Sequence, residues 1–112
     1  MSCTLGLNKR WFYFVKKGLK TIEGRLDKGT GKYLLIKPGE IITFICDDEK
    51  LNIRVKSVRK YDTFRIMLMK ENMAKILPDV KNLEEGVDVY RKIYGNEDRI
   101  MGVLAIELNS KF

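Results

Sequence analysis

The sequence predicts an α+β domain in which a small curled sheet or barrel carries helices against it. Three observations lead there. Period-two or wholly apolar strand segments occur near the start, in the middle and at the end of the 112-residue chain. Segments with helical spacing lie between them, one near the start and two after Asp62. Strands and helices do not alternate regularly, as the βαβ units of a doubly wound parallel sheet would. A chain of this length buries one core of appreciable size, so a single domain over 1–112 is expected, and no internal repeat is apparent.

Leu5 and Leu7 suggest a short opening strand. Asn8 suits a helix N-cap and Gly18 a helix stop, which predicts a helix over 9–17. On it Trp11, Phe12, Phe14 and Val15 gather on one apolar face, a core stripe more simply than a base-stacking surface. The stretch 20–26 reads as extended, and 27–32, with two glycines, as an exposed basic loop. Lys37-Pro38-Gly39-Glu40 is a turn: proline presets one backbone angle and glycine permits the other. Residues 41–46 form a strand apolar on both faces, Asp47 to Lys50 an acidic hairpin tip, and 51–56 an alternating strand with Asn52, Arg54 and Lys56 on its wet face. After Asp62 the period becomes helical. Phe64, Met67, Leu68, Glu71 and Lys75 share one face of a helix that runs to Pro78. Asn82 with Glu85 three residues on starts a last helix, carrying Leu83, Val87, Tyr90 and Tyr94 and stopping at Gly95. Residues 100–108 close the chain as a strand central to the sheet.

Composition narrows the function. With 45% hydrophobic and 33% charged residues, the chain is globular rather than disordered. Its apolar runs, residues 41–46 among them, are far too short to span a membrane, and its start shows no secretory signal, so a cytoplasmic protein without membrane partners is expected. Cys3 and Cys46 cannot make a disulfide framework. With no CxxC pair and no histidine there is no conventional zinc site, and no metal or other cofactor is expected. The lack of histidine also excludes Ser-His and Cys-His triads, leaving Lys, Glu, Asp, Tyr or Thr for any catalysis. Residues 1–60 hold 14 Lys+Arg against 6 Asp+Glu and residues 61–112 hold 8 against 9, so the halves carry +8 and −1. A basic half of this kind suits a polyanion, most simply nucleic acid, or else is a solvated basic surface.

The densest functional candidate is Gly18-Leu19-Lys20-Thr21-Ile22-Glu23-Gly24-Arg25. In a regular strand Thr21, Glu23 and Arg25 share a face and Lys20 points the other way; a bulge or turn at Lys20 reunites them. The bland alternative is a surface salt bridge. Glu71, on the core-facing side of its helix, is the second candidate. It is either paired structurally, poised for proton transfer, or turned outward by a helix break near Lys70. Tyr90 and Tyr94, one helical turn apart, either stack a base or pack on the sheet.

The run Gly18-x-Lys20-Thr21-x-Glu23-x-Arg25 resembles the G-x-K-x-x-E-x-R signature of ASCH domains, a branch of the PUA-like superfamily. Lys37-Pro38-Gly39-Glu40-Ile41-Ile42-x-Phe44, Tyr61-Asp62-x-Phe64-x-x-Met67-Leu68 leading to Glu71, and the ending from Leu83-Glu84-Glu85-Gly86-Val87 through Tyr90-Arg91-x-x-Tyr94 to Gly102-Val103-Leu104-Ala105-Ile106 resemble the family in the same order. The resemblance implies an α+β fold with a PUA-like small β-barrel, flanking helices and a cleft beside the signature strand, in a superfamily associated with RNA binding and RNA modification. Some ASCH proteins are amidohydrolases that deacetylate N4-acetylcytidine with a Lys, a Thr nucleophile and a Glu; others are ribonucleases. By that match Lys20 takes the Lys position and Glu71 the Glu position. Glu23 stands where the amidohydrolases have Thr.

Three functions therefore compete. In a module that binds RNA or a nucleoside, Lys20 and Arg25 engage phosphate or a base edge, Glu23 accepts from an exocyclic amine, Thr21 lies beside them, and Lys28, Lys32, Arg54 and Lys56 track the backbone. In a metal-independent hydrolase of a modified nucleoside, or a ribonuclease, Lys20 is the base, Glu71 the proton shuttle and Glu23 the residue that positions water or substrate, while Arg25 or backbone N–H groups polarise the carbonyl. In an interaction domain the charged signature merely ties helix to strand. The sequence leaves the oligomeric state open.

Overall fold

The computed structural model describes residues 2–29, 31 and 35–109. Lys32, one of the expected backbone-tracking lysines, lies outside them. The chain runs β1 (Ser2–Gly6), α1 (Lys9–Lys16), β2 (Ile22–Leu26), β3 (Ile41–Cys46), β4 (Glu49–Tyr61), α2 (Phe64–Lys70), α3 (Met73–Ile76), α4 (Leu83–Tyr94), α5 (Asp98–Met101) and β5 (Val103–Leu108). The strands form one curled sheet in the order β1-β3-β4-β5-β2. β1 lies parallel to β3, and every other pairing is antiparallel. Among the described residues no helix is long and apolar enough to cross a membrane.

The curl originates in β4. This strand has 13 residues. Its first half pairs with β3 and its second with β5, and the register slips between Val55 and Ser57. A bulge adds a residue to one side of the ladder, bends the strand and raises its twist. It also interrupts the alternation that made β4 legible, which is why the expected strand ended at residue 56 while the real one continues to Tyr61.

Two apolar clusters flank the sheet. One contains Phe12 and Val15 of α1 with Leu5, Ile42, Phe44, Ile53, Leu104 and Ile106. The other lies under the later helices and joins Ile22 and Leu26 to Phe64, Met67, Leu68, Ile76, Leu77 and Tyr90. β5 sits between β4 and β2, with Leu104, Ile106 and Leu108 in the first cluster and Val103 and Ala105 in the second. Its apolar character on both faces follows from that interior position.

Two expectations need correction. The helix expected from Phe64 to Pro78 is broken: α2 ends at Lys70, Glu71 is extended (φ −89°, ψ 171°), and Asn72 caps the short α3 by accepting a bond from the Ala74 amide. A capping asparagine offers the next turn a fresh start, so the chain changes direction there. The closing strand begins at Val103 rather than residue 100. Ile100 and Met101 belong to α5, and Gly102, at φ 76°, turns the chain into β5. Such a φ admits glycine without the Cβ penalty.

Candidate functional site

Local chemistry places Lys20 inside the protein. The Asn8 side chain caps α1 through the Trp11 amide (3.1 Å), and Gly18, at φ 76°, ends it. The amides of Leu19 and Lys20 then both donate to the Phe14 carbonyl, at 2.9 and 3.0 Å. Thr21 donates its amide to Lys75 in α3, and its carbonyl accepts from Leu108 of β5. These bonds fix the Thr21 backbone between α3 and β5, Thr21 is not among the residues lining the cleft over Lys20, and Lys20 turns inward before β2 begins. This is the turn that reunites the signature.

Lys20 is 2% exposed and Glu23 5%. The Lys20 ammonium donates to the carbonyls of Ile76 (2.7 Å) and Ile22 (3.0 Å) and lies 3.2 Å from Glu23 Oε1. Three acceptors match its three N–H groups. Glu23 Oε2 accepts from Arg25 Nε at 2.8 Å, and Arg25 Nη2 donates to the Gly6 carbonyl at 2.9 Å. Because β1 and β2 are the two edges of the sheet, Arg25 ties one edge to the other. Burial holds the Lys20 ammonium below its ordinary pKa, against the opposing pull of Glu23. For Glu23 burial acts upward, but the charges of Lys20 and Arg25 overrule it and hold the carboxyl below its ordinary range. The result is a +,−,+ chain, buried at Lys20 and Glu23 and partly exposed at Arg25.

This chain forms the floor of a cleft of about 160 Å³. Gly6, Leu7, Asn8 and Trp11 line one side, and Val89, Tyr90, Ile93 and Tyr94 of α4 the other. Trp11, Tyr90 and Tyr94 are both core and wall. Tyr90 and Tyr94 stack on Phe64, with ring centroids 4.0 and 5.4 Å away, so their planes are set by packing. Burial, then the neighbouring Glu23 carboxylate, pushes the Tyr90 phenol well above its ordinary pKa, which keeps it protonated. Gly24 lets Tyr90 and Met67 pack directly on β2: a Cβ there would sit 2.6 Å from the Tyr90 hydroxyl and 2.8 Å from Met67 Cε.

The other expected residues stand elsewhere. The helix break turns Glu71 away from the core-facing side. Its carboxylate accepts from Arg59 Nε (2.6 Å) and Nη2 (2.7 Å) and from the Tyr61 hydroxyl. Arg59 also reaches Glu107 at 2.9 Å. The hydrogen bonds from Arg59 hold Glu71 below its ordinary pKa, and Glu71 is not among the residues lining the cleft. Arg54, bonded to the Gly39 carbonyl, and Lys56, 3.7 Å from Glu107, are exposed on β4, and Lys28 is exposed beyond β2. The sequence reading did not single out the part Asn8 and Leu7 play as rim. Nor did it find the Arg59 cluster, whose members lie far apart in sequence.

With the geometry in hand, comparison with known proteins is specific. The model of the ASCH domain matches residues 5–112. The chain resembles the crystal structure of hypothetical protein PH0355, with 44% identity, a TM-score of 0.86 and coverage of 97% of this chain and 98% of that one. It also resembles the solution NMR structure of protein PF0455 from Pyrococcus furiosus, with 42% identity, a TM-score of 0.76 and coverage of 97% and 96%. No functionally curated protein matches it. A family model that spans nearly the whole sequence and two folds that superpose end to end agree: the chain belongs to the ASCH domain family.

Proposed function

We propose that this ASCH domain binds RNA, or a nucleoside within it, in the cleft over Lys20, Glu23 and Arg25. The observation that carries the reading is the buried charge chain at the floor of an aromatic-walled cleft. An ion pair kept only for stability is a poor choice in a protein interior, because its desolvation offsets most of its attraction. Here it fixes a carboxylate whose remaining lone pairs can accept from an exocyclic amine, beside a guanidinium suited to phosphate or a base edge. Trp11, Tyr90 and Tyr94 offer apolar walls for a planar ring. Lys28, Arg54 and Lys56, outside the cleft, serve as phosphate contacts further along the strand, each adding about 0.7 to the salt slope.

Binding fits this site better than hydrolysis. All three Lys20 protons already have acceptors, so Lys20 is an orienting ammonium rather than an open base. Glu71 is bound to Arg59 outside the cleft, and by the resemblance to the ASCH amidohydrolases Glu23 stands where they have the Thr nucleophile. The test incubates wild type and Arg25→Gln with labelled single-stranded RNA over a range of salt, and with N4-acetylcytidine. The expected result is RNA retention that falls steeply with salt and about tenfold in Arg25→Gln, with N4-acetylcytidine recovered intact. Retention no better than that of an acidic control protein at low salt would overturn the reading. Deacetylation abolished by Lys20→Ala would replace it with an enzyme.

A further inference from the structure

A second pocket, of about 140 Å³, lies on the other side of Tyr90. Three arginines line it: Arg65 of α2, Arg91 of α4 and Arg99 of α5. Both terminal nitrogens of Arg65 bond the Glu84 carboxylate, which holds that guanidinium in place. Arg91 reaches Asp88 only at 3.9 Å. Arg99 makes no side-chain hydrogen bond or ion pair among the described residues. The one carboxylate lining the pocket, Asp98, is engaged by the Phe64 amide at 3.0 Å. Of the three guanidinium groups only Arg65 is held bidentately by a carboxylate, so Arg91 and Arg99 keep planar donor forks open toward the pocket, the chemistry that recognises phosphate.

The two pockets share a wall. Tyr90 lines both, while the consecutive residues Tyr94 and Gly95 line the cleft and the arginine pocket respectively. Gly95, exposed and at φ 62°, has no side chain to stand between them. From this juxtaposition we infer that the natural ligand is a phosphate-bearing single strand rather than a free nucleoside: it leaves the cleft over Tyr94 and Gly95 and sets a backbone phosphate between Arg91 and Arg99, with Arg65 as the fixed third side. This rests on the reading of the cleft given above.

The test separates the two sites. Inorganic phosphate is titrated against labelled protein by NMR, following the amides of Gly95, Asn96 and Arg99, in wild type, Arg99→Gln and Arg91→Gln. Affinities for cytidine and for a short single-stranded RNA are then measured in the same proteins and in Arg25→Gln. The expected result is a saturable phosphate response lost in both pocket variants. Each pocket variant also lowers RNA affinity about tenfold, reduces the salt slope by about 0.7 and leaves cytidine binding unchanged. No phosphate response, or RNA affinity unchanged in Arg91→Gln and Arg99→Gln while Arg25→Gln still weakens it, overturns the inference and spares the cleft. A phosphate response with RNA binding insensitive to Arg25→Gln overturns the cleft reading instead, and with it the path from cleft to pocket.

Discussion

Replacing Glu23 with glutamine removes one charge from the middle of the buried chain and almost nothing else. The amide keeps the volume and one acceptor oxygen, but it turns a donor toward Lys20 (3.2 Å) or Arg25 (2.8 Å), where an acceptor stood. Each charge-assisted bond lost is worth about 1.5–3 kcal/mol, and stranding a buried charge costs about 3–5 kcal/mol. The second effect dominates at Lys20, which is 2% exposed and cannot turn to water; Arg25, with 15% of its side chain exposed, loses less. We expect Glu23→Gln to lose about 3–4 kcal/mol at neutral pH. Lys20→Met in the same background should recover about 2 kcal/mol relative to additivity, because the fully buried cation is then gone and only the partly exposed Arg25 has lost its carboxylate.

The pH dependence has a definite sign. Burial already lowers the Lys20 pKa in the wild type, and Glu23 is what opposes it. Without Glu23 it falls further. A folded pKa below the unfolded value of about 10.4 means the unfolded chain binds more protons in between. Stability of the variant therefore rises with pH across that window, by up to about 1.4 kcal/mol per unit, and the window opens at lower pH than in wild type. Urea unfolding of the wild type, both single variants and the double variant, followed by circular dichroism near pH 7 and about pH 9.5, measures all of this. A loss below about 1 kcal/mol, additivity of the two substitutions, or no rise with pH in Glu23→Gln would refute the reasoning.

Two further outcomes follow from packing and charge. Gly24→Ala pushes a methyl into the Tyr90 hydroxyl and Met67, both within 3 Å of its Cβ; thermal unfolding should show a loss of about 1–3 kcal/mol, partly relieved by Tyr90→Phe. Arg59→Met takes from Glu71 and Glu107 the hydrogen bonds that do most to hold their pKa values down, leaving Glu71 with Tyr61 and Glu107 with Ser57 and Lys56. Stability from such depressed carboxyls is fully present above their unfolded pKa of about 4.3 and is lost as pH falls through their folded values. The variant should thus be less stable than wild type by about 1–2 kcal/mol at pH 7, with the gap closing in acid. A gap independent of pH, read from urea midpoints, would refute it.

Much of the fold was legible because local rules and tertiary context agree. Asn8, Gly18, Asn82 and Gly95 mark the ends of α1 and α4 by their own backbone chemistry, whatever packs against them. The Lys37 to Glu40 turn and the strand after it follow from proline and glycine placement in the same way. The break at Glu71 was harder: Phe64, Met67, Leu68 and Glu71 do share a helical face on paper. What ends the helix is the Asn72 cap together with Arg59 and Tyr61, which hold the Glu71 carboxylate from a strand ten and more residues earlier.

By itself the sequence determined the fold class and the family, and it placed Lys20, Glu23 and Arg25 within six positions, where a single turn at Lys20 is enough to unite them. Periodicity, caps and a short motif are local, and local order is what a sequence displays directly. Only the tertiary structure decided that these charges are buried, that Tyr90 and Tyr94 wall the cleft above them, that Glu71 belongs to another cluster and that Arg65, Arg91 and Arg99 converge. Those facts depend on which surfaces are removed from water when the sheet curls and α4 packs against it. Desolvation is a property of the whole fold and has no signature in any one segment.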